Sequence, residues 1–152
     1  MLRFSPVGTF LAACVFLLGA SALPAETIAD AFTARMREAT LTGTWVPLQG
    51  GGLGAEKPDA YQVVRARQVD GDQWELVWRL SHQGRDVEYP FPCQITFAGD
   101  VAVLILDKVQ VGDGRFYSAR VMFHEDVYTG RWWSPAGEGG LVSGVISRAG
   151  DS

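Results

Sequence analysis

From Tyr61 to Arg148 turn-forming residues cut the chain at short intervals, and between the cuts apolar and polar side chains alternate. The cuts fall at Asp70-Gly71-Asp72, Gln83-Gly84-Arg85, Gly99-Asp100, Gly112-Asp113-Gly114, Glu125-Asp126 and Pro135 to Gly140. Alternation is clearest where Trp74, Leu76, Trp78 and Leu80 share one parity, and where Val87, Tyr89, Phe91, Cys93, Ile95 and Phe97 share another. A period of two places one set on a core face and the intervening residues toward solvent. Together with a strand around Trp45 and one from Tyr61 to Val69, the pattern predicts about eight sequential antiparallel strands. Sequential hairpins form a meander, and eight strands close most naturally into an up-and-down barrel. The expected fold is therefore all-β, a barrel or half-open barrel over residues 41–148, preceded by a short helix.

Two details bear on closure. Pro90 and Pro92 lie two residues apart, so both would withhold an N–H from the same strand edge; that edge predicts a seam, a splayed wall or a sharp corner. Val101 to Leu106 is apolar on both parities, which suits a strand covered on both sides, with the N-terminal helix as the expected cover.

Ahead of the strands the chain reads differently. Residues 1–25 combine Arg3, an apolar run centred on Phe10 to Leu18 and the small residues Gly19-Ala20-Ser21-Ala22, which is the pattern of a signal peptide. The run is too short for a membrane span, which needs about 20 residues, and cleavage is expected after Ala22 or Ala25. Leu11-Ala12-Ala13-Cys14 also matches a lipoprotein cleavage box, but the apolar run continues past it; a lipid anchor on Cys14 is the lesser alternative. The protein is thus expected to be secreted or periplasmic. Residues 26–40 predict an amphipathic helix with Ile28, Phe32 and Met36 on one face, and Thr27 with Asp30 forming a capping box. Residues 149–152 are expected to be a disordered tail.

Charge and cysteine content exclude several functions. Without residues 1–25 the chain keeps 12 of its 13 basic residues against all 17 acidic ones, and no basic stripe could track phosphates, so nucleic acid is not an expected partner. Once Cys14 is removed Cys93 stands alone, with no internal disulfide to form. Sharing parity with Phe91 and Ile95, it reads as a small buried side chain rather than a reactive thiol. No cofactor is expected. His82 and His124 are the two histidines, each beside a turn, without the clustering that zinc needs. Asp70, Asp72 and Glu75 begin like a calcium loop but lack its later ligands. Ser118, His124 and Asp126, or Cys93 with His82, form no local catalytic signature, so no catalytic residue is assigned and an enzyme is not expected. Gln49 to Pro58, with four glycines in residues 50–54, lacks the Gly-Lys-Ser/Thr ending of a phosphate loop and reads as a mobile loop beside a pocket mouth.

Two copies of Gly-x-Trp, Gly43-Thr44-Trp45 and Gly130-Arg131-Trp132, stand near the two ends of the strand region. Glycine allows a backbone or ring edge to come close and the indole supplies bulk, so first and penultimate strands are expected to bring tryptophans to one end of the core. Trp74, Trp78, Tyr89 and Phe91 lie on adjacent strands with matching faces and are the candidate ligand-binding residues; Arg65, Arg67, Arg120 and Arg131 are polar groups that could enter the same space. An aromatic core with outward arginines is the competing reading.

Gly43-x-Trp45 on a first strand after a short helix, a long loop, an eight-strand meander and a late arginine together resemble the calycin group, the lipocalins and their avidin-like relatives. The resemblance implies a barrel that holds a small ligand in a cup, with a late-strand arginine packed over the first-strand tryptophan. Arg148 matches that arginine by position and Arg131 competes. The aromatic usual two residues after it is replaced by Gly150, and the lipocalin disulfide has no counterpart. The expected function is an exported carrier of an apolar or amphipathic small molecule; the alternative is an envelope-associated protein-interaction or inhibitor module with a filled core.

Overall fold

The structure, a computed structural model, describes residues 26–82, 85–111 and 114–149. The expected leader with Cys14, two turn centres and residues 150–152 of the expected tail lie outside them. Helix α1 (Ile28–Arg35) is followed by β1 (Ala39–Gln49), β2 (Gly52–Leu53), β3 (Lys57–Asp70), β4 (Gln73–His82) and β5 (Arg85–Ala98). Then come β6 (Val101–Val111), β7 (Arg115–His124), β8 (Val127–Trp133) and β9 (Gly139–Arg148). From β3 to β9 each strand pairs with the next, and β1 pairs with both β3 and β9, so eight strands close a barrel. The closing ladder is long, from Ala39↔Arg148 to Pro47↔Gly140.

The extra strand β2 folds back on the end of β1, with Leu48 opposite Leu53 and Gln49 opposite Gly52. Gly50 and Gly51 both take positive φ, +57° and +81°, between those rungs, a turn that a pair of glycines adopts at little steric cost. The glycine-rich segment is thus a small hairpin rather than the plain loop expected from composition.

Helix α1 begins with the expected capping box: the Asp30 amide donates to Thr27 Oγ1 at 3.1 Å and the Thr27 amide to Asp30 Oδ2 at 3.2 Å. Its apolar stripe enters one end of the barrel. Phe32 meets Trp74, Phe97 and Phe123 edge-on, with centroids 5.7, 5.9 and 5.8 Å away, and Met36 is fully buried, while Ile28 stays half exposed. The helix therefore plugs the barrel instead of covering the outside of β6, the place that the apolar run Val101 to Leu106 predicts for it. Ala102, Leu104 and Leu106 of β6 are buried, and the intervening Val101, Val103 and Ile105 are only partly covered.

The wall is complete near α1 and incomplete at the other end. Ladder β5–β6 runs from Ala98↔Val101 to Gln94↔Ile105, although β5 extends back to Arg85 and β6 forward to Val111. The Ile95 amide donates to Asp72 O at 2.9 Å, so odd-numbered amides of β5 turn toward β4 and the positions of Pro90 and Pro92 face β6. Those prolines lie just beyond the last rung, where two missing donors weaken a ladder. On β6 a register shift lies between Leu106 and Val109, with Lys108 at φ +51° and its amide donating to Ser118 Oγ at 3.0 Å. The distal parts of β4–β5 and β6–β7 thus stand as two hairpin arms with a seam between them.

Candidate functional site

Between the aromatic plug and the far end of the barrel lies a cavity of about 710 Å³. Its lower wall includes Phe123, Leu104 and Leu41, and its upper wall Val111, Tyr117 and Trp132. The space therefore lies above the Phe32 layer and continues toward the end away from α1, between the two hairpin arms.

Of the four aromatics singled out from sequence, Trp78 and Tyr89 line this cavity. Trp74 and Phe91 do not. Trp74 is 1% exposed and sits in the plug against Phe32 and Phe97. Phe91 is buried and meets Trp78 edge-on at 4.8 Å, supporting that ring from behind. All four share the inward parity, but parity does not say how far along the barrel axis a side chain stands. Those nearest the helix become core, and those farther along face open space.

Tyr61 and Tyr128 belong to the cavity as well. Tyr61 lies 5.0 Å from Trp78, ring to ring, and its hydroxyl donates to Asp59 Oδ2. Burial, then the hydrogen bond and charge of Asp59, push the Tyr61 phenol well above the ordinary tyrosine range. Tyr128 is 3% exposed; its phenol is also raised, by burial first and then by the Asp59 charge. Among the described residues neither Tyr128 Oη nor Trp78 Nε1 has a hydrogen-bond partner, and a buried polar atom left so costs about 1–3 kcal/mol.

Strand register explains how Tyr128 and Asp59 come to face each other. Tyr128 lies opposite Gly144, Gly144 opposite Gly43, and Gly43 opposite Asp59, a row across four neighbouring strands whose middle two members have no side chain. A Cβ on Gly43 would meet Ser143 O at 2.0 Å, and one on Gly144 would stand 2.8 Å from Tyr128 Cε1. Gly43 thus permits the close approach of β9, and the Tyr128 ring occupies the place cleared at Gly144. Gly130 serves in the same way against the Arg120 carbonyl, 2.3 Å from where its Cβ would be.

Trp45 and Trp132, the tryptophans of the two Gly-x-Trp segments, meet at the end of the barrel away from α1 with centroids 5.6 Å apart. The cation over Trp45 is Lys57, its Nζ 4.7 Å from the ring centre. Arg148 cannot take that place. It pairs with Ala39, at the plugged end, whereas Trp45 pairs with Val142. Arg131 and Arg120 both lie 5.5 Å from the Trp133 ring, and Arg120 also bonds Asp107 at 2.9 Å. Arg65 and Arg67 reach Glu75 at 3.9 and 3.2 Å. These four arginines are bound to surface partners rather than placed among the cavity walls.

The remaining chemical candidates stay apart. Ser118 lies inside β7 and His124 at its end, six residues on and roughly 20 Å apart at strand rise, and His124 Nε2 lies 3.2 Å from Asp100. Glu75 is engaged by arginines, away from a calcium-like arrangement with Asp70 and Asp72. Cys93 is buried, with its thiol pushed up to about 12 by burial. Among the described residues no three His, Cys, Asp or Glu side chains group to hold a metal, and no helix is long and apolar enough to cross a membrane. The sequence pattern does not reach Asp59, which falls between the Gln49 to Pro58 loop and the strand expected from Tyr61, nor the pairing of Tyr61 with Tyr128, because nothing local shows their faces converging. Comparison of the chain with protein families, curated proteins and solved structures finds no match, so the site rests on its own geometry.

Proposed function

We propose that this is an exported binding protein whose barrel holds a small, largely apolar molecule in the manner of a calycin cup. The observation that carries the reading is the cavity of about 710 Å³ between the helix plug and the far end. It falls within the usual range for small-ligand sites, about 300–1,000 Å³, and has the usual composition of apolar walls with few polar groups. Trp78, Tyr89, Tyr61 and Trp132 supply flat apolar surface, and Trp78 Nε1 and Tyr128 Oη are polar atoms without partners among the described residues. The seam between β5 and β6 offers a side entrance beside the end opening.

The competing reading, an interaction module, draws on the outer face of β7–β9, where Met122, Val127 and Val145 are each about half exposed. Its filled core is at odds with a space of this size. The test is native mass spectrometry of protein purified from its own host, followed by tryptophan fluorescence during titration with a hydrophobic dye. A bound small molecule, or saturable fluorescence change lost in Ala119→Phe, is expected. No adduct and no change with any probe would remove the carrier reading.

A further inference from the structure

We propose that the cavity selects an organic amine, its protonated ammonium group received by Asp59 between the hydroxyls of Tyr61 and Tyr128. This rests on the cup reading and names the chemistry of what the cup holds.

The acceptor set matches an ammonium group. The Tyr61 proton is committed to Asp59, so the Tyr61 oxygen has lone pairs left to offer. Across the glycine row, Tyr128 is 3% exposed with its hydroxyl unpartnered among the described residues, close enough to Asp59 for the carboxylate charge to raise its phenol. One carboxylate and two phenol oxygens are acceptors for three donors, which is what a primary ammonium carries. A ligand carboxylate would bring no donor and would meet the Asp59 charge.

The surroundings favour a cation as well. Faces of tyrosine and tryptophan attract cations, and more strongly where water is thin. The far end already shows this preference, since the Lys57 ammonium sits over Trp45. Arg79, the cation at the cavity wall, is engaged by Glu38 at 3.3 Å and Glu88 at 3.4 Å. Burying an ammonium is costly unless it is paired and hydrogen-bonded; here Asp59 supplies the counter-charge and the phenols complete the shell.

The test uses three probes of equal chain length, octylamine, octanol and octanoate, titrated against the purified protein at neutral pH and read by tryptophan fluorescence and calorimetry. Octylamine is expected to bind at least about tenfold tighter than octanol, with octanoate weakest. Asp59→Asn should bring octylamine to the level of octanol and leave octanol unchanged. Tyr128→Phe, which keeps the ring over Gly144, should weaken octylamine several-fold and spare octanol; it decides the matter if the Asp59 variant fails to fold. Octanoate binding as well as octylamine, or an amine preference that survives in a folded variant, would overturn the headgroup assignment and leave the cup standing. Failure of all three probes and of a hydrophobic dye would remove the cup itself.

Discussion

Gly43 shows how one residue decides the shape of a wall. With a Cβ 2.0 Å from Ser143 O, Gly43→Ala has no side chain to rotate away and must push β1 from β9. Overpacking of this kind costs typically about 1–3 kcal/mol, and a backbone obstacle puts this variant at the upper end, measurable as a lowered urea midpoint. Loss below about 0.5 kcal/mol, the scale of neutral surface changes, would mean the strands part easily there. The tryptophans divide by depth. Trp74→Ala should cost about 3–5 kcal/mol, as removal of a buried ring does, whereas Trp45, partly exposed, should cost less when replaced. Burial of Cys93, Tyr61 and Tyr128 gives the protein an alkaline limit. Each group is held in its neutral form in the folded state, so as pH rises the unfolded chain gives up its protons first. Stability is full below the unfolded values and is lost from about pH 9 upward, where free thiols and then phenols ionise. Urea midpoints flat to about pH 11 would contradict this.

At the scale of elements, α1 and the hairpin arms have opposite tasks. The helix fills one end through Phe32 and Met36, so Phe32→Ala should cost about 3 kcal/mol or more while exposed Ile28→Ala should stay within about 0.5 kcal/mol. The two should differ clearly in thermal unfolding; equal effects would detach the helix from the barrel. The arms leave the other end open. Replacing Pro90 and Pro92 by valine restores two donors on the edge facing β6, and slower release of a bound dye, with its affinity for the equilibrium site little changed, is the expected outcome in stopped-flow measurements. Unchanged rates would place the ligand's route at the barrel end instead of the seam.

Over the whole molecule, closure by β1 and β9 puts the two Gly-x-Trp segments on either side of β9, where Trp45 and Trp132 meet although they stand at opposite ends of the strand region. That same closure brings Tyr128 of β8 within reach of Asp59 of β3, through Gly144 and Gly43. The exported character proposed for the protein has its own check. Intact mass of secreted material should begin near Leu23 or Glu26, and retention of residues 1–25, or a lipidated start at Cys14, would set that proposal aside.

The sequence alone determined the class of fold, because strand alternation and turn chemistry act over a few residues and leave their period in the chain. Eight meander strands, the capped helix and the weak edge at Pro90 and Pro92 were legible for that reason. Which inward residues fill space and which enclose it was decided only by tertiary structure, since depth along the barrel depends on ladder register and on where Phe32 enters. Trp74 and Trp78 share a strand and a face, yet one is core and the other cavity wall. The convergence of Asp59, Tyr61 and Tyr128 likewise left no mark in local sequence: two of them are near neighbours on β3, but the third arrives from β8 only when the barrel closes and two glycines clear its path.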